Sequence, residues 1–154
     1  MSLLRRRIMG VLKELFYSFI VGPTHESVNA SFMEGVLAPN GKVIMIPYSS
    51  TVVGIYDPTV NTYTAGTAHG CGIGAFSGGV LAPNGKIIMI PFYSSTVVGI
   101  YDPIANTFTA GPTHGCGTSA FRGGVLAPNG KVIMISYYST VVDTVQINLL
   151  IKCF

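Results

Sequence analysis

Charge is scarce in this chain, and its scarcity excludes several classes at once. Only 10% of the 154 residues are charged while 49% are hydrophobic. Intrinsic disorder needs the opposite balance, few apolar residues and many charges, and a charged coiled coil is excluded by the same count. The nine Lys and Arg against six Asp and Glu give a formal charge of +3. Arg5, Arg6 and Arg7 supply three of the nine, so six basic residues face six acidic ones from Lys13 onward. No basic face is left for a phosphate backbone, and nucleic acid is not an expected partner. Cysteine is scarce too. Cys71, Cys116 and Cys153 are odd in number and widely spaced, which is no disulfide framework; reduced thiols, and with them a cytoplasmic setting, are the expectation. Serine triads, P-loops, zinc-protease helices and dinucleotide fingerprints are all missing, so neither an enzyme nor a cofactor is expected.

Long apolar runs are also lacking, although mean hydropathy is high at +0.53. Lys13 and Glu14 interrupt the stretches Ile8–Leu12 and Leu15–Val21, whereas a membrane helix needs about 20 predominantly apolar residues. Arg5–Arg7 followed by apolar residues resembles a signal peptide, yet no small-residue cleavage site follows. Residues 1–16 are therefore read as a basic and apolar segment, with no membrane span expected. Asn29-Ala30-Ser31 fits a glycosylation sequon, which carries little weight without a secretory route.

What is present, above all, is repetition. Residues 35–66 read GVLAPNGKVIMIPYSSTVVGIYDPTVNTYTAG, residues 79–111 repeat them almost unchanged, and residues 124–142 begin a third copy before diverging. Pro39, Pro83 and Pro128 mark periods of 44 and 45 residues. Gly22-Pro23-Thr24-His25 aligns with Gly111-Pro112-Thr113-His114, and the same offset sets Tyr17–Val21 opposite the last strand of a repeat. The chain thus divides into 1–16, the end of a partial unit with its connecting loop at 17–34, full units at 35–78 and 79–123, and a partial third unit with a divergent tail at 124–154.

Each unit reads as four short strands. In the first unit these are Gly35–Ala38, Lys42–Tyr48, Thr51–Tyr56 and Thr62–Ala65. Asn40-Gly41 marks a tight hairpin, since both residues tolerate positive φ. Asp57-Pro58 opens the next turn, with Pro fixing φ and the Asp carboxylate free to accept from a backbone amide two residues on. A glycine-rich loop, Gly66 to Gly74, leads to the next copy.

Four antiparallel strands in about 40–45 residues is the signature of a β-propeller blade. The fold class expected is all-β, with propeller-type blades in an incomplete ring. At GVLAPNGKVIMI and TVVGIYDPTVNTYTAG the chain resembles the YVTN/YncE-like propeller repeats, over about residues 17–143. Ile44-Met45-Ile46-Pro47 departs from that family's Tyr-Val-Thr-Asn, and kelch and WD40 signatures are absent. The resemblance implies an architecture and no single function, because binding modules, surface proteins and some enzymes share it. Closed propellers have roughly 4–8 blades, so two full blades and two partial ones leave edges and apolar faces uncovered. Either further chains complete the ring, or the sequence belongs to a longer propeller.

Candidate chemistry is limited. His69, Cys71, His114 and Cys116 recur in the loops entering strand one and are metal-ligand types; the first copy has His25-Glu26-Ser27 instead, and the competing reading is a linking loop whose His bonds the backbone. Asp57 and Asp102 are read as turn-formers, and Lys42, Lys86 and Lys131 as solvated. Arg122 replaces Ser77 and Met33 of the other copies. Tyr48, Phe92, Tyr93, Tyr137 and Tyr138 recur between strands two and three. They offer stacking surfaces for a sugar or, alternatively, packing between blades. Three functions are therefore open: a non-enzymatic module for protein interaction or structural assembly, foremost by self-association; a lectin-like oligomer that takes a glycan; and a propeller lyase or hydrolase with His and Cys at the channel. The hydrophobic excess sits in Val43–Ile46, Ile87–Ile90 and Val132–Ile135. Stacked blades would bury these strands on both faces, which argues for neighbouring protein rather than lipid.

Overall fold

A computed structural model describes residues 18–25 and 30–147. The segment 1–16, Tyr17, Glu26, Ser27, Asn29 and Cys153 lie outside the described residues. Within them the chain is all β, with eleven strands in three antiparallel sheets. The first sheet takes β1 (Phe32–Leu37), β2 (Val43–Pro47), β3 (Val52–Asp57) and β4 (Thr62–Ala68) in sequence order. The second repeats that order with β5 (Phe76–Leu81), β6 (Ile87–Pro91), β7 (Val97–Asp102) and β8 (Thr107–Thr113). The third holds β9 (Phe121–Leu126), β10 (Val132–Ser136) and the short β11 (Thr144–Val145). The sheets are open rather than closed, which fits an incomplete propeller.

The register repeats with the sequence. Phe32 pairs with Pro47 and Gly35 with Met45, just as Phe76 pairs with Pro91 and Gly79 with Met89. Each first strand starts three residues before the expected glycine, at Phe32 or Phe76, because a bulge after the Phe resumes pairing beyond the irregularity. Strand four is also longer than expected, running through Gly66 to Ala68. Gly66 is no breaker: a Cβ there would lie 2.9 Å from the Val53 carbonyl, so the strand needs glycine for this close approach.

The Asn-Gly hairpins form, with one difference. Gly41, Gly85 and Gly130 have positive φ, whereas Asn40, Asn84 and Asn129 do not. Pro39 fixes the first turn position at negative φ, which makes a type I turn of Pro39-Asn40 followed by a left-handed glycine. Gly41 N–H donates to Ala38 O, and Asn40 Oδ1 accepts from Lys42 N–H. Asp57 Oδ1 accepts from Thr59 N–H at 2.9 Å, and Asp102 Oδ1 from Ile104 and Ala105 N–H at 3.0 Å, as their turn role requires. Lys42 and Lys86 pair with these carboxylates at 3.7 and 3.3 Å; such exposed pairs are worth at most about 1 kcal/mol.

Residues 18–21, placed by alignment in a last strand, are in no strand, and Phe19, Ile20 and Val21 are exposed. In the divergent tail, β11 takes the strand-three place, with Val145 opposite Val132.

The core lies between sheets. Val36, Ile44, Ile46 and Val53 of the first sheet pack on Phe76, Ile87, Met89 and Tyr101 of the second. Val80, Ile88, Ile90 and Val98 repeat the contact against Phe121, Val132, Met134 and Val145. Each sheet thus has a receiving face, turned to the sheet before it, and a forward face, turned to the next. Only β6 is buried throughout; β2 and β10 are covered on one side. At about 1.5–3 kcal/mol for each fully buried large aliphatic or aromatic side chain, these two seams are the main source of cohesion.

Candidate functional site

The recurring His-Gly-Cys loops cross the seams. His69 follows β4 directly and is buried. Its Nε2 lies 2.9 Å from Ser50 O in the first sheet, and its Nδ1 accepts from Cys71 N–H at 3.2 Å. The ring stands edge-on to Phe76 and against Phe108 of the second sheet. His114 repeats this with Ser95 O at 3.1 Å, Cys116 N–H at 3.2 Å and Phe121. His25 packs likewise on Phe32 and Tyr63. The backbone donor at Nδ1 fixes the tautomer, so Nε2 carries the proton and donates to the serine carbonyl. Both nitrogens of His69 and of His114 are thereby engaged, and no group of three or more His, Cys, Asp or Glu suited to a metal occurs among the described residues.

The thiols of Cys71 and Cys116 are free and half-buried. Cys71 Sγ donates to His69 O at 3.3 Å, and burial pushes its pKa up. Cys116 Sγ lies 2.8 Å from Asp143 Oδ2 and 3.2 Å from His114 O. Its single proton serves one acceptor at a time. The bond to Asp143 comes first in raising the Cys116 pKa, then burial and the carboxylate's charge. Raised thiols are poor nucleophiles and poor ligands at neutral pH.

Three of the candidate aromatics form a file across all three sheets. Tyr48 and Phe92 have centroids 5.9 Å apart, and Phe92 and Tyr137 6.2 Å, at tilted angles that suit ring quadrupoles. Tyr138 leans on Tyr137 at 4.5 Å, and the Arg122 guanidinium lies 4.9 Å from the centroid of the Tyr137 ring. Tyr48 and Phe92 are half-buried in this file. Tyr93 and Tyr138 are 60% and 73% exposed.

A cleft of about 440 Å³ opens where the sequence reading named no site: on the receiving face of the first sheet. Phe32, Gly35, Val43, Met45, Tyr56 and Tyr63 line it, with Gly22, Pro23 and His25 at its side. Their counterparts in the second sheet are Phe76, Gly79, Ile87, Met89, Tyr101 and Phe108, which the first sheet covers. The signal was present in the repeat, since those six positions recur, but only packing reveals that one set is open. A second cleft runs along the first strands between Glu34, Ser77 and Arg122. There Glu34 Oε2 accepts from Gly79 N–H at 2.9 Å, and Ser77 Oγ donates to Phe121 O at 3.2 Å.

No family model and no curated protein matches the sequence. Among solved structures the fold is similar to an auxiliary nutrient binding protein from Bacteroides ovatus, with a TM-score of 0.56 and 20% identity. The match covers 68% of this chain and 26% of that one. The similarity is one of fold.

Proposed function

We propose that the chain is a non-enzymatic repeat module for protein interaction or structural assembly, built from blades that resemble the YVTN/YncE-like repeats. One observation carries this reading. The receiving face of the first sheet is an open apolar cleft, while the same residue types at the same positions of the second sheet are buried against a neighbour. Large exposed apolar faces on soluble domains mark interaction sites. The His69 and His114 side chains that suggested chemistry have both ring nitrogens bonded within their own unit, and their rings pack on the next sheet. The Bacteroides ovatus structure, named a nutrient binding protein, supports binding over catalysis by fold analogy alone. Light scattering over a concentration series tests the reading: a discrete oligomer is expected, and a chain that stays monomeric throughout would count against self-assembly.

A second reading rests on the exposed rings of Tyr93 and Tyr138 beside Tyr137, which Arg122 braces. Exposed aromatics with a hydroxyl suit a sugar face, and the ligand is then a glycan. Binding on a glycan array that disappears in the Tyr93→Ala, Tyr138→Ala double variant would select it; an array without signal would remove it.

A further inference from the structure

We infer that the open receiving face of the first sheet takes the forward face of the third sheet of a second copy of this chain, in a head-to-tail contact that repeats the two internal seams. The inference rests on the assembly reading above and names its partner and its residues.

Each internal seam is a knob-and-hole joint. Val36 and Ile46 on the first sheet close over Gly79 of the second: a Cβ on Gly79 would lie 2.6 Å from Ile46 Cδ1 and 2.9 Å from Val36 Cγ2. Val80 and Ile90 close over Gly124 in the same way, at 2.7 Å from Ile90 Cδ1 and 3.1 Å from Val80 Cγ2. Both joints use one Val and one Ile as knobs and one glycine as the hole. The chain carries one more of each half. The knobs are Val125 and Ile135, 52% and 50% exposed, where Val80 and Ile90 are 8% and 0% exposed. The hole is Gly35, in the open cleft; its missing Cβ would meet only Val43 of its own sheet.

The cleft is also furnished as the internal seams are. His25 stands on Phe32 and Tyr63 as His69 stands on Phe76 and Phe108. His69 donates to Ser50 O of its own unit while its ring packs on the next sheet; His25 ends a partial unit whose serine another copy must supply. The counterpart of Ser50 in the third unit is Ser139, whose hydroxyl bonds Val141 O as that of Ser50 bonds Val52 O. In the docked pair, His25 Nε2 of one copy reaches the Ser139 carbonyl of the other. The two faces differ, so the contact is heterologous. Two copies bring six sheets together, within the roughly 4–8 blades of closed propellers.

Complementary variants test it. Val125→Asp with Ile135→Asp spoils the forward face at exposed positions where folding has little at stake, and Met45→Asp spoils the receiving face. Far-ultraviolet circular dichroism checks that each folds. The wild type is expected at twice the 16.3 kDa chain mass or a higher multiple, and each variant alone at the monomer mass. An equimolar mixture, which retains one intact face from each, is expected to return to twice the monomer mass. If Met45→Asp fails to fold, the forward-face variant and its mixture with wild type still decide, since it must cap wild-type chains. An oligomer that survives the forward-face variant, or folded variants that do not pair, would overturn head-to-tail docking while leaving self-assembly in place. Loss of the oligomer in Met45→Asp alone would assign the cleft to another segment and also overturn it. A monomeric wild type would overturn both readings.

Discussion

The imidazole of His69 donates to the carbonyl of Ser50, 19 residues earlier in the same unit, at 2.9 Å. The same ring accepts from Cys71 N–H and packs on Phe76. One side chain therefore closes a loop, joins two sheets and fills an aromatic gap, and His114 does the same one unit later.

Removing that side chain leaves the Ser50 carbonyl and the Cys71 amide without their partner. His69→Ala is expected to cost about 1–3 kcal/mol, the penalty for stranding buried polar groups. Urea midpoints measure it. A chelator added to the wild type is expected to leave the midpoint unchanged, because both imidazole nitrogens of His69 and His114 are held by protein. A midpoint that falls with the chelator would restore the metal reading of His69, Cys71, His114 and Cys116.

The knob-and-hole joints predict a sharp contrast among glycines. Gly79→Ala drives a methyl into Ile46 and Val36, and overpacking of this kind costs about 1–3 kcal/mol. Gly123→Ala meets nothing within 4 Å at a residue without positive φ, and is expected within about 0.5 kcal/mol of wild type. Equal midpoints for the two variants would show that the seam is looser than described.

Asp57 and Asp102 give the acid limb of stability. Backbone amides, of Thr59 for Asp57 and of Ala105 and Ile104 for Asp102, hold both carboxyls below the ordinary range, with Lys42 and Lys86 assisting against partial desolvation. A carboxyl depressed in the folded state stabilises above its unfolded pKa and loses that contribution as pH falls toward the folded value. Asp57→Asn with Asp102→Asn is therefore expected to be less stable than wild type at neutral pH, with the gap closing below the usual carboxylate range. Denaturation midpoints between about pH 7 and about pH 2.5 follow this. A gap that stays constant into acid would refute the charge contribution.

Cys116 reactivity should report on Asp143. The carboxylate beside the sulfur favours the protonated thiol, and the thiolate is the nucleophile. Asp143→Asn is expected to speed iodoacetamide alkylation of Cys116 severalfold at mildly alkaline pH, while Cys71, shielded by burial, keeps its rate. Peptide-resolved mass spectrometry separates the two. No acceleration would mean that access, not charge, limits Cys116.

Much of the architecture was legible because the repeat states it three times. The Pro-Asn-Gly hairpins and Asp-Pro turns are local devices, and local chemistry suffices to place them. The strand ends were less legible. Phe32 and Gly66 join their strands through a bulge and a close backbone approach, and both depend on the paired strand rather than on the residue itself. Tyr48, Phe92 and Tyr137 were visible as recurring aromatics, but nothing in their spacing of 44 and 45 residues says that the rings touch.

By itself the sequence determined that the chain carries two near-identical four-stranded units and part of a third, with more apolar surface than charge to cover it. Local turn chemistry acts within one unit: all three copies spell out the Pro-Asn-Gly hairpin, and the two full ones the Asp-Pro turn. Only the tertiary structure decided what each copy does. Burial and hydrogen-bond partners depend on which neighbour lies across a seam. Equivalent residues therefore form a core at Gly79, Ile87 and Met89 and an open cleft at Gly35, Val43 and Met45. The imidazoles that looked like metal ligands are, for the same reason, packed into the seams with both nitrogens bonded.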